Sequence, residues 1–247
     1  MLPDPSTFQI LETTTYTRDH GVFLLDPHLA RMRESARRLS ACYNNNNNTG
    51  CFDCSRVDAE NVLETISTQI SDHDSNHTYR VRMLLSHTGE LSVQVTIEPP
   101  SKNNSTQSLP VLVLDSQPSR TDSVFVQCKT THRTVYTDAA QRIPEHFPQG
   151  TQVLLYNECE QITEGNIANV AVSMPCGENG QLVLCTPPVS VGLLPGTMRQ
   201  HLLDTGQIRE APVSVAQFRQ AVHNGWPVMC MNSVRGLYAV TPVVCVE

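Results

Sequence analysis

The hydrophobic residues of this chain recur at two periods, and the places where the period changes mark its elements. Residues 8–16 alternate loosely between apolar and polar and are rich in β-branched side chains, as a half-buried strand is. Asp19-His20-Gly21 interrupts them as a turn, and Val22-Phe23-Leu24-Leu25 reads as the second strand of a hairpin. The period then lengthens. Leu29, Met32, Ala36 and Leu39 recur at helical spacing, behind Asp26 as cap and Pro27 at the first helical position. Arg31, Arg33, Arg37 and Arg38 ring the other faces of that helix, a solvated position for most of them. A low-complexity asparagine loop over 44–48 leads to a second helix over 58–70. Strands over 79–86 and 91–97 flank the turn His87-Thr88-Gly89-Glu90, so residues 1–100 read as a small α+β domain.

Pro99-Pro100 and the Ser/Asn-rich tract behind them make 101–108 a linker, and 109–247 reads as a larger, β-rich domain. Strands are expected over 109–114, 123–128, 153–156, 161–163, 167–172, 182–185, 228–231 and 238–240. Helices are expected over 134–142, 197–203 and 216–222, the middle one behind the turn Gly192-Leu193-Leu194-Pro195-Gly196. No internal repeat is visible.

Composition narrows the function classes. The 247 residues are 39% apolar and 17% charged, with a net charge of −7 and no basic tract, so neither nucleic acid nor an anionic membrane is an expected partner. Apolar runs fall far short of the ~20 residues that span a bilayer. Met1-Leu2-Pro3-Asp4-Pro5 lacks the basic and apolar regions of a signal peptide, which points to a cytoplasmic protein. Nine scattered cysteines form no disulfide framework and read as reduced thiols. Cys51-Phe52-Asp53-Cys54 is a lone pair, and His73 with His77 matches no zinc-protease motif, so no metal is expected. The sequons at Asn47, Asn76 and Asn104 read as chance matches in loops.

The chemistry centres on Cys128-Lys129-Thr130-Thr131-His132-Arg133. A half-buried lysine at the end of an apolar strand can lose solvation and become a nucleophile. By itself it is more often a solvated surface group. Three later stretches join it: Thr163-Glu164-Gly165-Asn166-Ile167-Ala168-Asn169, then Gly192-Leu193-Leu194-Pro195-Gly196-Thr197-Met198-Arg199, then Asn232-Ser233-Val234-Arg235-Gly236. With Asp26-Pro27-His28-Leu29-Ala30-Arg31-Met32 and Ser35-Ala36 ahead of them, their order and spacing resemble the class IV aminotransferases, the fold-type IV pyridoxal-phosphate enzymes. The resemblance covers nearly the whole chain, and five motifs in order are specific although each alone is permissive.

That resemblance implies a two-domain α+β fold and pyridoxal 5'-phosphate as cofactor. It implies that Lys129 carries the cofactor's aldehyde and then acts as the mobile base, and that Glu164 pairs with the pyridine nitrogen. Asn166 and Asn169 would lie beside the cofactor. Arg31, Gly196, Thr197 and Ser233 would hold the phosphate, with free N–H groups at the helix start favouring the anion. Arg133, Asn232 and Arg235 would face the substrate. Within the family, the local motifs look most like the aminodeoxychorismate lyases, with Thr13-Thr14 where those lyases have paired threonines, and Thr14 as candidate aid to proton transfer. The implied substrate is a small molecule, and the implied assembly a homodimer. Departures are Tyr16 where many members have arginine, Asn166 in place of a frequent serine, a chain start close to the first motif, and the asparagine loop. The alternatives are a transaminase of D-amino acids, branched-chain amino acids or amines on the same scaffold, and a non-catalytic paralogue. The retained Lys129 and Glu164 argue against the latter.

Overall fold

The computed structural model describes residues 2–44, 52–70, 77–99, 108–176 and 180–245. The chain divides into two compact units, 1–103 with 127–132, and 104–126 with 133–247. The asparagines at 45–48, Cys51, His73, Asn76, Asn104 and the linker up to residue 107 lie outside the described residues.

The first unit is an antiparallel sheet with two helices. Strands β1 (Ile10–Thr17), β2 (Gly21–Val22), β3 (Tyr79–Leu85) and β4 (Leu91–Ile97) lie in the order β2-β1-β3-β4. The hairpin expectation was too long at its second strand. Pairing ends at Val22, because Leu24 adopts a left-handed φ of 52° and Leu25 already begins helix α1 (Leu25–Asn44). In α1 the expected face is buried: Leu29, Met32, Ala36 and Leu39, with Tyr43 extending it. Helix α2 (Ala59–Gln69) starts behind Asp58, whose carboxylate accepts the Asn61 N–H at 2.8 Å.

The segment 127–132 joins this unit as a short fifth partner of the sheet. Ile10 bridges Thr130, the Leu11 N–H donates to the Lys129 carbonyl at 2.8 Å, and the Thr131 N–H donates to the Gln9 carbonyl at 2.9 Å. The strand expected over 123–128 is instead a helical turn, α3 (Val124–Gln127). A short apolar run has no period of its own, and here Ser123 decides the matter. Its hydroxyl accepts from Phe125 N and its carbonyl from Val126 N, which closes a turn rather than a ladder.

The second unit contains β5 (Val111–Leu114), α4 (Thr134–Gln141), β6 (Gln152–Tyr156), β7 (Ile162–Gly165), β8 (Asn169–Cys176), β9 (Gln181–Thr186), α5 (Thr197–Asp204), β10 (Arg209–Glu210), α6 (Val215–His223), β11 (Val228–Asn232), β12 (Gly236–Ala239) and β13 (Thr241–Val243). They form two sheets, ordered β10-β9-β8-β11-β12 and β13-β5-β6-β7. Leu112, Leu154, Ile162, Val170, Val172, Val213, Phe218 and Val228 fill the core of this unit. The parallel pairings of β13 with β5 and of β10 with β9 had no sequence signal, since these strands are three and two residues long. Pro242 fits β13 because that strand is a sheet edge, where a missing N–H is tolerated. Among the described residues no helix is long and apolar enough to cross a membrane.

Candidate active site

In the second unit the chemistry gathers around Glu164. Every residue of β7 is buried, so the carboxylate is 5% exposed and must be met by donors. Among those that meet it are the Tyr136 hydroxyl at 2.7 Å, the Leu194 N–H at 3.0 Å and the Asn169 side-chain amide at 3.1 Å. That donor set favours an ionised, acceptor-only carboxylate over a carboxylic acid. Asn169 also donates to the Leu194 carbonyl at 3.0 Å, so it ties β8 to the Gly192–Gly196 turn.

The turn between β7 and β8 is clamped on three sides. The Gly165 N–H donates to the Ala168 carbonyl at 2.8 Å, and Asn166 exchanges backbone and side-chain bonds with Val153. The Arg133 guanidinium donates to the Asn166 carbonyl and lies 4.6 Å from the centre of the Tyr136 ring. Asn232 reaches the Ile167 carbonyl through its amide at 3.4 Å, while its side-chain oxygen accepts the N–H groups of Val234 and Arg235. The Arg235 guanidinium lies 5.5 Å from the Tyr238 ring centre.

Next to the carboxylate is a seat for an anion. Gly196 caps α5 without a side-chain bond, and the start of a helix is where backbone N–H groups favour an anion. The Thr197 and Ser233 hydroxyls lie 2.8 Å apart and are both buried. Gly196 is packed so closely that a Cβ there would stand 1.9 Å from the Asn169 side-chain oxygen. Within this unit the structure brings Glu164 together with Asn169, and Thr197 together with Ser233. A carboxylate, two hydroxyls and a helix start fit a ligand with a basic ring nitrogen and a phosphate.

The first unit carries Lys129, the two threonines and Arg31. Antiparallel pairing sets Lys129 across from Leu11, so by strand alternation it shares the face of Leu11 and Thr13. Thr14 is on the opposite face with Ile10 and Glu12, fully buried, and its hydroxyl donates to the Phe23 carbonyl at 2.6 Å. The Thr14 hydroxyl, expected to serve proton transfer, is engaged as a donor to that carbonyl, and it is Thr13 that shares the Lys129 face. Arg31 donates through Nε and Nη2 to Glu12 at 2.8 and 2.5 Å, and His28 Nδ1 is 2.6 Å from the same carboxylate. Burial would push the Glu12 carboxyl up, but Arg31 and His28 overcome it and hold the group down at about 2.

Tyr136, Glu12 and His28 were missed by sequence reasoning. Tyr136 could have been found only as a polar-tipped residue on the inner side of the 134–142 helix. Glu12 stood at an inward position of an alternating strand, where a charged residue demands a partner.

The sequence profile of the amino-transferase class IV family matches residues 9–243. A Schizosaccharomyces pombe protein provisionally named an aminodeoxychorismate lyase is 34% identical over 229 residues, 92% of this chain and 86% of that protein. The aminodeoxychorismate lyase of Saccharomyces cerevisiae is 25% identical, over 87% of this chain and 66% of its own length. The crystal structure of a provisionally named amino-acid aminotransferase from Mesorhizobium loti superposes with a TM-score of 0.73 at 27% identity, covering 96% of this chain and all of that one.

Proposed function

This chain belongs to the amino-transferase class IV family, with its fold-type IV architecture and its pyridoxal 5'-phosphate cofactor, and from that premise we propose that it is a lyase acting on 4-amino-4-deoxychorismate. The products are 4-aminobenzoate, the aromatic unit of folate, and pyruvate. The S. pombe and S. cerevisiae relatives support this choice.

The observation that carries the reading is the common face of Lys129 and Thr13. When bound, the cofactor supplies an aldehyde that takes up the substrate amine and a ring that accepts electrons. Glu164 holds the pyridine nitrogen protonated. Lys129 would hold the cofactor and would serve as the base for the proton on the substrate ring carbon. The ether C–O bond breaks, the ring becomes aromatic, and the three-carbon fragment takes a proton at its methylene carbon to leave as pyruvate. Atoms balance without an oxidant or second substrate. In transamination one lysine can both remove the proton and return it to carbon, whereas the lyase needs a proton delivered to a departing fragment. Thr13, on the Lys129 face, would aid that delivery.

Arg31, Gly196, Thr197 and Ser233 would hold the phosphate, and Asn166 and Asn169 position Glu164 and the adjoining turn. Asn232 and Arg235 border the substrate on the β11–β12 turn. Activity is assigned to a homodimer, and light scattering at micromolar concentration checks that. The decisive assay adds aminodeoxychorismate to cofactor-loaded protein without any keto acid. Formation of 4-aminobenzoate is expected. No 4-aminobenzoate, together with amino transfer from an amine donor to pyruvate, would overturn the lyase reading in favour of a transaminase, the activity for which the M. loti neighbour is named.

A further inference from the structure

The Tyr136 hydroxyl is spent inside the protein on the one carboxylate that the proposed function assigns to the cofactor's ring nitrogen. It donates to Glu164 Oε1 at 2.7 Å, shorter than the bonds from Leu194 N–H at 3.0 Å and the Asn169 amide at 3.1 Å. The ring that carries the hydroxyl is itself held. Arg133 lies 4.6 Å from its centre and is anchored through the Asn166 carbonyl on the turn that follows Glu164. The result is a closed circuit: Glu164, the turn after it, Arg133, Tyr136, and back to Glu164. Its members come from β7 and the turn after it, and from the N-cap and first turn of α4, four and seven residues after Lys129.

We propose that Tyr136 is a positioning residue for Glu164, fixing the carboxylate's orientation and proton affinity, and that Arg133 is the strut that seats Tyr136 rather than a clamp for a substrate carboxylate. The inference rests on the assignment of Glu164 to the pyridine nitrogen. The physical reason is directional. A carboxylate that accepts a strong bond from a phenol is a weaker base, so a proton shared with a pyridine nitrogen stays on nitrogen. Removing the phenol makes Glu164 more basic and draws the proton toward it. Tyr136 remains a donor throughout, because burial first, and then the adjacent Glu164 charge, raises its phenol well above the ordinary range. The cation of Arg133 acts in the opposite sense, polarising the O–H toward donation.

The test compares holoenzyme prepared with pyridoxal 5'-phosphate labelled with 15N in the ring, in wild type, Tyr136→Phe and Glu164→Gln. The ring-nitrogen chemical shift reads protonation directly, and fluorescence titration of apo-protein with the same cofactor reads affinity. Wild type is expected near the protonated value and Glu164→Gln near the neutral one. Tyr136→Phe is expected between them, with cofactor affinity roughly tenfold weaker, as fits the loss of one bond to a charged group. If Tyr136→Phe keeps the wild-type shift while Glu164→Gln changes it, the positioning role is wrong and the Glu164 assignment stands, even if affinity falls through altered packing. If Glu164→Gln also keeps the wild-type shift, the Glu164 assignment fails and takes this inference with it.

Discussion

Gly196→Ala tests how tightly the anion seat is built. The backbone at Gly196 has φ −67° and ψ 136°, which any residue adopts, so the substitution meets no conformational penalty. The obstacle is steric: the new Cβ would stand 1.9 Å from the Asn169 side-chain oxygen, and no neighbour except Asn169 is nearer than 3.5 Å. Asn169 is 5% exposed and bonded to both Glu164 and the Leu194 carbonyl, so it can give way only by weakening those bonds. Overpacking costs about 1–3 kcal/mol. Disturbing one bond to a charged group and one to a carbonyl costs on the order of 2–4 kcal/mol if both are lost. Reduced freedom of the unfolded chain returns about 0.4–1 kcal/mol. A net loss of roughly 2–4 kcal/mol is expected in urea unfolding at neutral pH, with weaker cofactor binding because Glu164 loses its Asn169 donor. The mechanism is isolated by a double-mutant cycle. In an Asn169→Ala background the side-chain oxygen is gone, and Gly196→Ala should then cost no more than about 0.5 kcal/mol. Additive costs in that cycle would refute the reasoning, since they would mean that Asn169 is not what excludes a side chain at 196.

Lys129→Ala should fold normally and lose the cofactor's covalent attachment, with borohydride reduction and peptide mapping finding no pyridoxyl-lysine; a reduced adduct on another lysine would reject the assignment. Glu12→Ala strands Arg31 and His28 around a buried void and should cost about 3–5 kcal/mol in unfolding free energy. Because the folded-state pKa of Glu12 is depressed to about 2, its contribution is fully present above about pH 4.5 and lost as pH falls toward 2. Stability measured between pH 5 and 2 should therefore fall less steeply in Glu12→Gln than in wild type, and an unchanged slope would contradict the pairing. The two threonines should separate by phenotype. Thr13→Val should keep stability and lose turnover by ~10²–10⁴-fold, whereas Thr14→Val should retain turnover and lose about 1–3 kcal/mol by leaving the buried Phe23 carbonyl unsatisfied. The reverse pattern would return proton transfer to Thr14.

What the sequence determined by itself was local. The spacing of Leu29, Met32, Ala36 and Leu39 decided the buried face of α1, and Asp58 decided where α2 begins, because helix period and capping involve residues within one turn of each other. Glu164 with Asn169, and Gly196 with Thr197, were legible for the same reason, each pair lying within a few positions on one turn. Tertiary structure decided everything that depends on register or on distant partners. Strand alternation says only that Thr13 and Thr14 face opposite ways. Which one shares a face with Lys129 is decided by a bridge between residues 10 and 130. The apolar run over 123–128 fits a strand or a helix equally well, and a hydroxyl cap selected the helix. Glu12 can be buried only because His28 and Arg31 reach it from a different element, sixteen and nineteen residues on. Tyr136 gains its meaning from a carboxylate twenty-eight residues away. Hydrophobic period is a property of neighbours along the chain, whereas the environment of a charge is a property of neighbours in space. The motifs were therefore readable from the sequence, and the residues that position them were not.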